Sequence, residues 1–215
     1  MSARAFSDDE IDLLDRHFIA GKRSRDRLLL QIGVTTGLRI HELLSITVAD
    51  LWTGTEVVRD LYIRRARLKG GRSLKRRAIR GRRIPLGDNV REVAADHLAR
   101  IGVFEPNRAV FGSRQSGEGA MTLFQSYRRL RQACRACGID LVGVSTHSYR
   151  KTFAQSFYGR TRDLLLTQVA MGHANPLTTA AYLRADQERA DQIIRELATR
   201  LVAPGATGVG LVAAG

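Results

Sequence analysis

With only two cysteines in 215 residues, Cys134 and Cys137, the chain has too few for a disulfide framework. Their spacing, on a helix-like stretch, lacks the second ligand pair that a zinc site requires, so no metal is expected and both read as buried or idle thiols. No run approaches the roughly 20 apolar residues of a membrane-crossing helix. The first ten residues are polar and acidic with no apolar segment behind a basic flank, so nothing there resembles a secretory signal. These absences point to a reducing, cytoplasmic setting and away from membranes.

Acidic residues are missing from one long stretch altogether. Between Arg64 and Arg83 stand eleven basic residues (Arg64, Arg65, Arg67, Lys69, Arg72, Lys75, Arg76, Arg77, Arg80, Arg82 and Arg83) and no carboxylate. The formal net charge is +14, so this segment accounts for most of it and the rest of the chain is close to balanced. Such density repels itself unless a polyanion neutralises it, and the phosphates of a nucleic acid are the common partner. A solvated basic loop without a ligand is the plainer reading of the same run.

The hydrophobic content of 44% suits a chain that buries most of its unfolded surface in one core. Ser7-Asp-Asp-Glu10 has the form of a capped helix start, and Ile11, Leu13, Leu14, Phe18 and Ile19 give that helix an apolar face to about residue 20. A second helix is predicted from about Arg25 to Thr36 and is stopped by Gly37; helical periodicity resumes at Ile40, so Arg39 falls in a tight junction. Residues 57–68 and 78–86 read as two strands of a small antiparallel sheet around Gly70-Gly71 and a long basic loop. Helices are expected over about 88–101, 121–137, 147–159, 162–171, 176–184 and 186–202, and a Gly/Ala/Val tail after Pro204 is expected to be disordered. The fold class is mainly α with a small antiparallel sheet, in a single domain over residues 1–202.

Five polar groups stand out in order: Arg39, then His147 and Arg150, then His173 after Gly172, then Tyr182. His147 and Arg150, three apart on a helix, share a face and can converge on one anion. Each has a duller explanation alone. Arg39 reads as a surface or capping residue, the histidines as helix-end residues, and Tyr182 as a core aromatic among Leu177, Ala180, Ala181 and Leu183. Their joint pattern is more specific than any one of them.

The segments Thr36-Gly-Leu-Arg-Ile-His-Glu-Leu-Leu44, Thr146-His-Ser-Tyr-Arg-Lys-Thr-Phe-Ala154 and Met171-Gly-His-Ala-Asn-Pro-Leu-Thr-Thr-Ala-Ala-Tyr-Leu183 carry a family resemblance. Over about residues 6–190 the chain resembles the catalytic domain of the tyrosine recombinases, also called phage-type integrases, DNA breaking-rejoining enzymes. The resemblance implies Tyr182 as nucleophile, forming a 3′-phosphotyrosine and a free 5′-hydroxyl. It further implies an arginine with a carboxylate three residues on, matched by Arg39 and Glu42, and a lysine in the sheet turn that protonates the leaving oxygen. Lys69 is the candidate and Lys75 the runner-up. Most members of the family also carry an N-terminal DNA-clamping domain; here the motifs begin almost at once, so the expectation is a catalytic domain alone, either naturally minimal or a fragment of a longer protein.

The physical roles follow from the chemistry of a phosphodiester. Its charge repels nucleophiles, and the pentacoordinate transition state concentrates more charge on the non-bridging oxygens. Arg39 and Arg150 can clamp those oxygens with forked hydrogen bonds that strengthen as charge develops. Tyrosine needs a proton acceptor and a cationic setting to attack near neutrality. His147 is the choice for that base and His173 for a donor to a phosphate oxygen, with Glu42 orienting His147 or Arg39. The covalent link keeps the ester's energy, so neither ATP, metal nor other cofactor is required.

Double-stranded DNA is the expected partner, met by the basic run and by Lys151. A homo-oligomer, a tetramer on DNA, and accessory DNA-bending proteins are also expected. The amphipathic stretch 185–201, with Ile193, Ile194, Leu197 and Leu201, docks in cis or on a neighbouring protomer. Two other readings stay open: a type IB topoisomerase, against which His147 speaks because those enzymes usually carry lysine there, and a non-catalytic DNA-binding regulator of the same fold.

Overall fold

The computed structural model describes residues 3–68, 81–101, 105–113, 119–173, 179 and 191–196. They fall in two compact units, Met1–Leu183 and Arg184–Gly215. The first holds eight helices and two strands among its described residues: α1 (Asp8–Ala20), α2 (Ser24–Thr36), α3 (Ile40–Leu44), α4 (Val48–Leu51), β1 (Asp60–Ile63), β2 (Arg82–Pro85), α5 (Asp88–Ile101), α6 (Leu123–Ala136), α7 (His147–Thr161) and α8 (Leu164–Met171). In the second, residues 191–196 are helical, with Gln192 bonded to Glu196 one turn on and Ile193 and Ile194 exposed.

The first helix starts where its sequence says it should. Ser7 caps the N–H of Glu10, and the Glu10 carboxylate reaches back to the N–H of Ser7, satisfying two donors that a helix start leaves open. Arg4 pins the same carboxylate at 2.7 Å and fastens the N-terminal segment to it.

At the centre lies α2. Leu28, Leu29, Leu30, Ile32 and Gly33 are all buried, so the middle of the helix is enclosed by neighbours on more than one side. It packs on α1, α3, α5 and α7. Against α7 the approach is close because Gly33 has no side chain: a Cβ there would come within 3.0 Å of Tyr149. The helix ends at Gly37, whose φ of 61° is left-handed and whose missing side chain leaves the space taken by the Phe153 ring. Two residues later Arg39, extended at φ −73° and ψ 150°, caps α3. The chain therefore reverses from α2 into α3 and leaves Arg39 at the turn.

The strands β1 and β2 pair antiparallel, with Asp60 opposite Pro85 and Ile63 opposite Arg82. Leu61, Ile63 and Ile84 point into the core, and the alternation puts Arg82 on the same face as Ile84 and Arg83 on the other. Helix α4 is the element that the sequence pattern does not predict; at four residues it is too short to show a period. Its N-cap box, Thr47 with Asp50, is the signal that marks it. Cys134 lies in the core, where burial pushes its thiol up to about 11, and Cys137 is half-buried beside it. No helix among the described residues is long and apolar enough to cross a membrane.

Candidate active site

Two helix C-termini meet beside the α2–α3 turn. The last carbonyls of α2 come from Thr36 and Gly37, and those of α8 from Ala170 and Met171; both helices stop at a left-handed glycine, Gly37 and Gly172. Each terminus leaves carbonyls without an intrahelical donor and carries partial negative charge. Arginines fill the gap between them.

Arg150, one turn into α7, is fully buried. One guanidinium nitrogen donates to the Gly37 carbonyl, and the other to the Met171 carbonyl at 2.8 Å and to His173 Nε2 at 2.6 Å. Because the arginine can only donate, Nε2 of His173 is the acceptor. The proton of the neutral ring then sits on Nδ1, which lies 2.9 Å from Thr179 Oγ1. Burial first, and then the charges of Arg150, Arg39 and Arg82, push His173 down to about 4.

Arg39 is half-buried and held by Glu42, which has no exposure at all. The carboxylate accepts from the Arg39 side chain at 3.0 Å and from the Arg39 backbone N–H at 2.8 Å. Glu42 thus orients Arg39, one of the two groups its sequence position left open. His147 opens α7 at an exposed position, three residues before Arg150, and its backbone N–H donates to Ser145. Lys151 is half-buried on the same helix. The structure therefore joins Arg39, Glu42, Arg150 and His173 in one cluster and leaves His147 at the exposed start of α7.

Tyr182, Lys69 and Lys75 lie outside the described residues, as do Arg72, Arg76, Arg77 and Arg80. Of the remaining basic residues Arg64 is exposed, and Arg65 half-buried. Arg67 pairs with Asp50, and Arg83 pairs with Asp60 at 2.7 Å while staying exposed. Arg82 turns inward, to the two helix ends. Sequence reasoning also passed over Thr179, the partner of His173, although the Thr178-Thr179 pair stood in plain view within the third motif.

A cleft of about 890 Å³ opens at the other, N-terminal end of α2, among Arg23, Arg25, Arg100, Arg108 and Arg129. None of the three motifs reaches it. The described motif residues meet instead at the junction between the two helix ends.

A histidine near 4 has a consequence for stability. The unfolded ring takes up its proton near 6.5, before the folded one does, so stability falls as the pH drops from 6.5 towards 4, and the loss is complete below the folded value. Burial pushes His97 down as well, adding a slope of the same sign. We expect His173→Gln to remove part of this slope: the difference between melting temperatures at pH 7 and pH 5 should be smaller in the variant. An unchanged difference would mean that the ring is protonated in the folded protein.

The chain is 26% identical over 173 residues to the probable integrase/recombinase YoeC of Bacillus subtilis, covering 80% of this chain and 84% of that one. It is 27% identical over 192 residues to the tyrosine recombinase XerH of Campylobacter jejuni, covering 87% of this chain and 49% of that one. It spans about half the length of XerH and of the XerD recombinases it matches. In fold it is similar to the crystal structure of XerA recombinase, with a TM-score of 0.66 at 21% identity over 95% of this chain and 65% of that one. For the crystal structure of a XerH site-specific recombinase in a post-cleavage complex with a palindromic difH substrate, the TM-score is 0.68, at 23% identity over 90% of this chain and 52% of that one. These likenesses give the fold as that of tyrosine recombinase catalytic domains. The family model itself aligns with residues 7–189, and this chain belongs to the phage integrase family.

Proposed function

We propose that this protein is a site-specific DNA recombinase that cleaves and rejoins double-stranded DNA through a covalent 3′-phosphotyrosyl link to Tyr182. The observation that carries the reading is the cluster at the two helix ends. Arg39, Arg82 and Arg150 surround a neutral His173 with one carboxylate, Glu42, among them. A site with that surplus of fixed positive charge is complementary to a phosphodiester and more so to its pentacoordinate transition state. Family membership and the DNA-bound state of the related XerH recombinase support the same reading.

In the first step the Tyr182 oxygen attacks phosphorus and its proton passes to a base, for which His147 is the candidate at the rim. The bond from phosphorus to the 5′ oxygen breaks, and that oxygen takes a proton from Lys69 or, as the second choice, Lys75. Reversal by another 5′-hydroxyl restores the phosphodiester and frees the tyrosine. The number of ester bonds stays constant, so no ATP is consumed.

Arg150 is preorganised for its part, because two carbonyls hold its plane before DNA arrives. A phosphate oxygen is a stronger, charged acceptor than the imidazole that now takes its Nη2 proton. His173, released from that bond and facing an anion, gains basicity and donates through Nε2. Lys151 and the basic residues of the β1–β2 connection contact neighbouring phosphates. The active assembly on DNA is a homo-tetramer.

The decisive experiment offers the protein a nicked suicide DNA substrate: an adduct that survives SDS is expected, whereas a gel shift that SDS dissolves would leave only a DNA-binding protein. The basic connection has its own test. Neutralising Arg76, Arg77 and Arg80 together should flatten the dependence of log Kd on log salt by about 0.9 for each phosphate that these side chains neutralise. An unaltered slope would mean that these residues face away from the DNA.

A further inference from the structure

We infer that Arg82 is a positioning residue of the reaction centre, which braces the returning strand of the hairpin against the ends of α2 and α8, and is not a contact to the DNA backbone. The inference rests on the function proposed above and gives a role to a residue that the basic run would otherwise absorb.

The geometry is that of a fork closing on helix ends. Arg82 Nη2 donates to the Thr36 carbonyl at 3.0 Å and to the Ala170 carbonyl, and Nη1 lies 3.5 Å from the Met171 carbonyl. Its side chain runs along Gly172, where a Cβ would lie 3.4 Å from Arg82 Cδ and 3.5 Å from Nε. Arg150 makes the matching pair of contacts from the other element, to Gly37 and Met171. Two guanidiniums therefore bridge the same two helix ends, and the Met171 carbonyl stands between them. Like charges this close are tolerated because each faces the negative end of a helix.

What lies next to those carbonyls is the reason for the brace. Arg39 follows Thr36 by three residues, and His173 follows Met171 by two. Fixing the two carbonyl ends fixes the distance between the arginine of the first motif and the histidine of the third. Because Arg82 belongs to β2, it also ties that strand to the junction, and the lysine expected to protonate the leaving oxygen stands in the sequence between β1 and β2. Arg83, next to it, takes the opposite role: it is exposed and bound to Asp60. Lysine cannot replace Arg82 fully, since a single ammonium does not span three carbonyls in a plane.

The test compares Arg82→Gln, Arg82→Lys and Arg83→Gln with the unmodified protein in single-turnover cleavage of the nicked substrate at saturating DNA, alongside Kd as a function of salt. Misplacement of reacting groups by about 1 Å costs on the order of a hundredfold, so Arg82→Gln should cleave about ten to a hundred times more slowly. Its salt slope should match that of the unmodified protein, because no phosphate loses a direct partner. The His173 ring, followed by NMR, should titrate higher than in the unmodified protein once a nearby positive charge is gone. Arg82→Lys should keep the ring's titration but not the full rate, whereas Arg83→Gln, on the exposed face, should act through the salt dependence of Kd and not through the His173 titration.

A wild-type rate at saturation in Arg82→Gln, with a salt slope about 0.9 smaller, would make Arg82 a phosphate contact and overturn the inference. Should the glutamine variant fail to melt cooperatively, Arg82→Lys decides: a wild-type rate there overturns it equally. Absence of an adduct from the unmodified protein would instead count against the proposed function itself.

Discussion

Tyr182→Phe should bind DNA with the affinity of the unmodified protein and give no SDS-resistant adduct. The change removes one oxygen, the only atom through which the proposed covalent link can form, and leaves the ring in place. Binding persists because it is set by arginines and lysines elsewhere in the chain. The expected loss is complete within the detection of the gel. Thr179, three positions before Tyr182, is buried and held on His173 Nδ1, so the chain entering this segment is anchored to the imidazole. Residual adduct would point to another tyrosine, and the structure narrows which one. Tyr149 is buried against Phe6 and Gly33, and burial pushes its phenol far above the ordinary value, so it is a core residue. Tyr158, half-buried near the end of α7, would be the residue to replace next. A band that disappears only in a double variant of Tyr182 and Tyr158 would relocate the nucleophile.

The sequence was legible where one local rule acts alone. Ser7 and Glu10 predict the start of α1, Gly37 predicts the end of α2, and the Arg39 junction follows from both. The boundaries of α5 match the periodicity at both ends. The strands are less sharply marked: residues 57–68 read as one strand, whereas β1 occupies only Asp60–Ile63 and is followed by a 3₁₀ turn at Arg65–Arg67, because three arginines in four positions cannot all avoid the core face of a strand. The candidate site was legible as a set of residues and not as an arrangement. Spacing suggests that Glu42 holds either His147 or Arg39, and only the fold chooses Arg39. The inward turn of Arg82 was hidden by the charge run around it, although its two-residue offset from Ile84 was the available cue. Charge density describes a segment, whereas the pleat assigns each residue a face.

Arg150→Ala should lower single-turnover cleavage by more than about a hundredfold, the scale on which the loss of one preorganised donor to a developing charge is measured. It should also lower the melting temperature, and the two effects have separable causes. In the free protein the side chain satisfies the carbonyls of Gly37 and Met171 and the Nε2 of His173, all inside the protein. Each acceptor left without a partner in a buried place costs about 1–3 kcal/mol, offset where water enters the space the side chain leaves. A stability loss alone is overcome at saturating DNA and low temperature, where the variant is folded. The rate loss is not, because the guanidinium is missing from the transition state. Arg150→Lys sharpens the distinction: it returns a positive charge to the junction but cannot hold two carbonyls and a phosphate oxygen at once. Melting should recover in part and cleavage should stay at least about tenfold below the unmodified protein, by analogy with other sites where a planar fork is replaced by a point charge. Equal rates for Arg150→Ala and the unmodified protein under folded, saturated conditions would remove Arg150 from the chemistry and leave it as a brace between α7, α2 and α8. The phosphate would then be held by Arg39 alone among the motif arginines, and the proposed clamp would have lost one of its two arms.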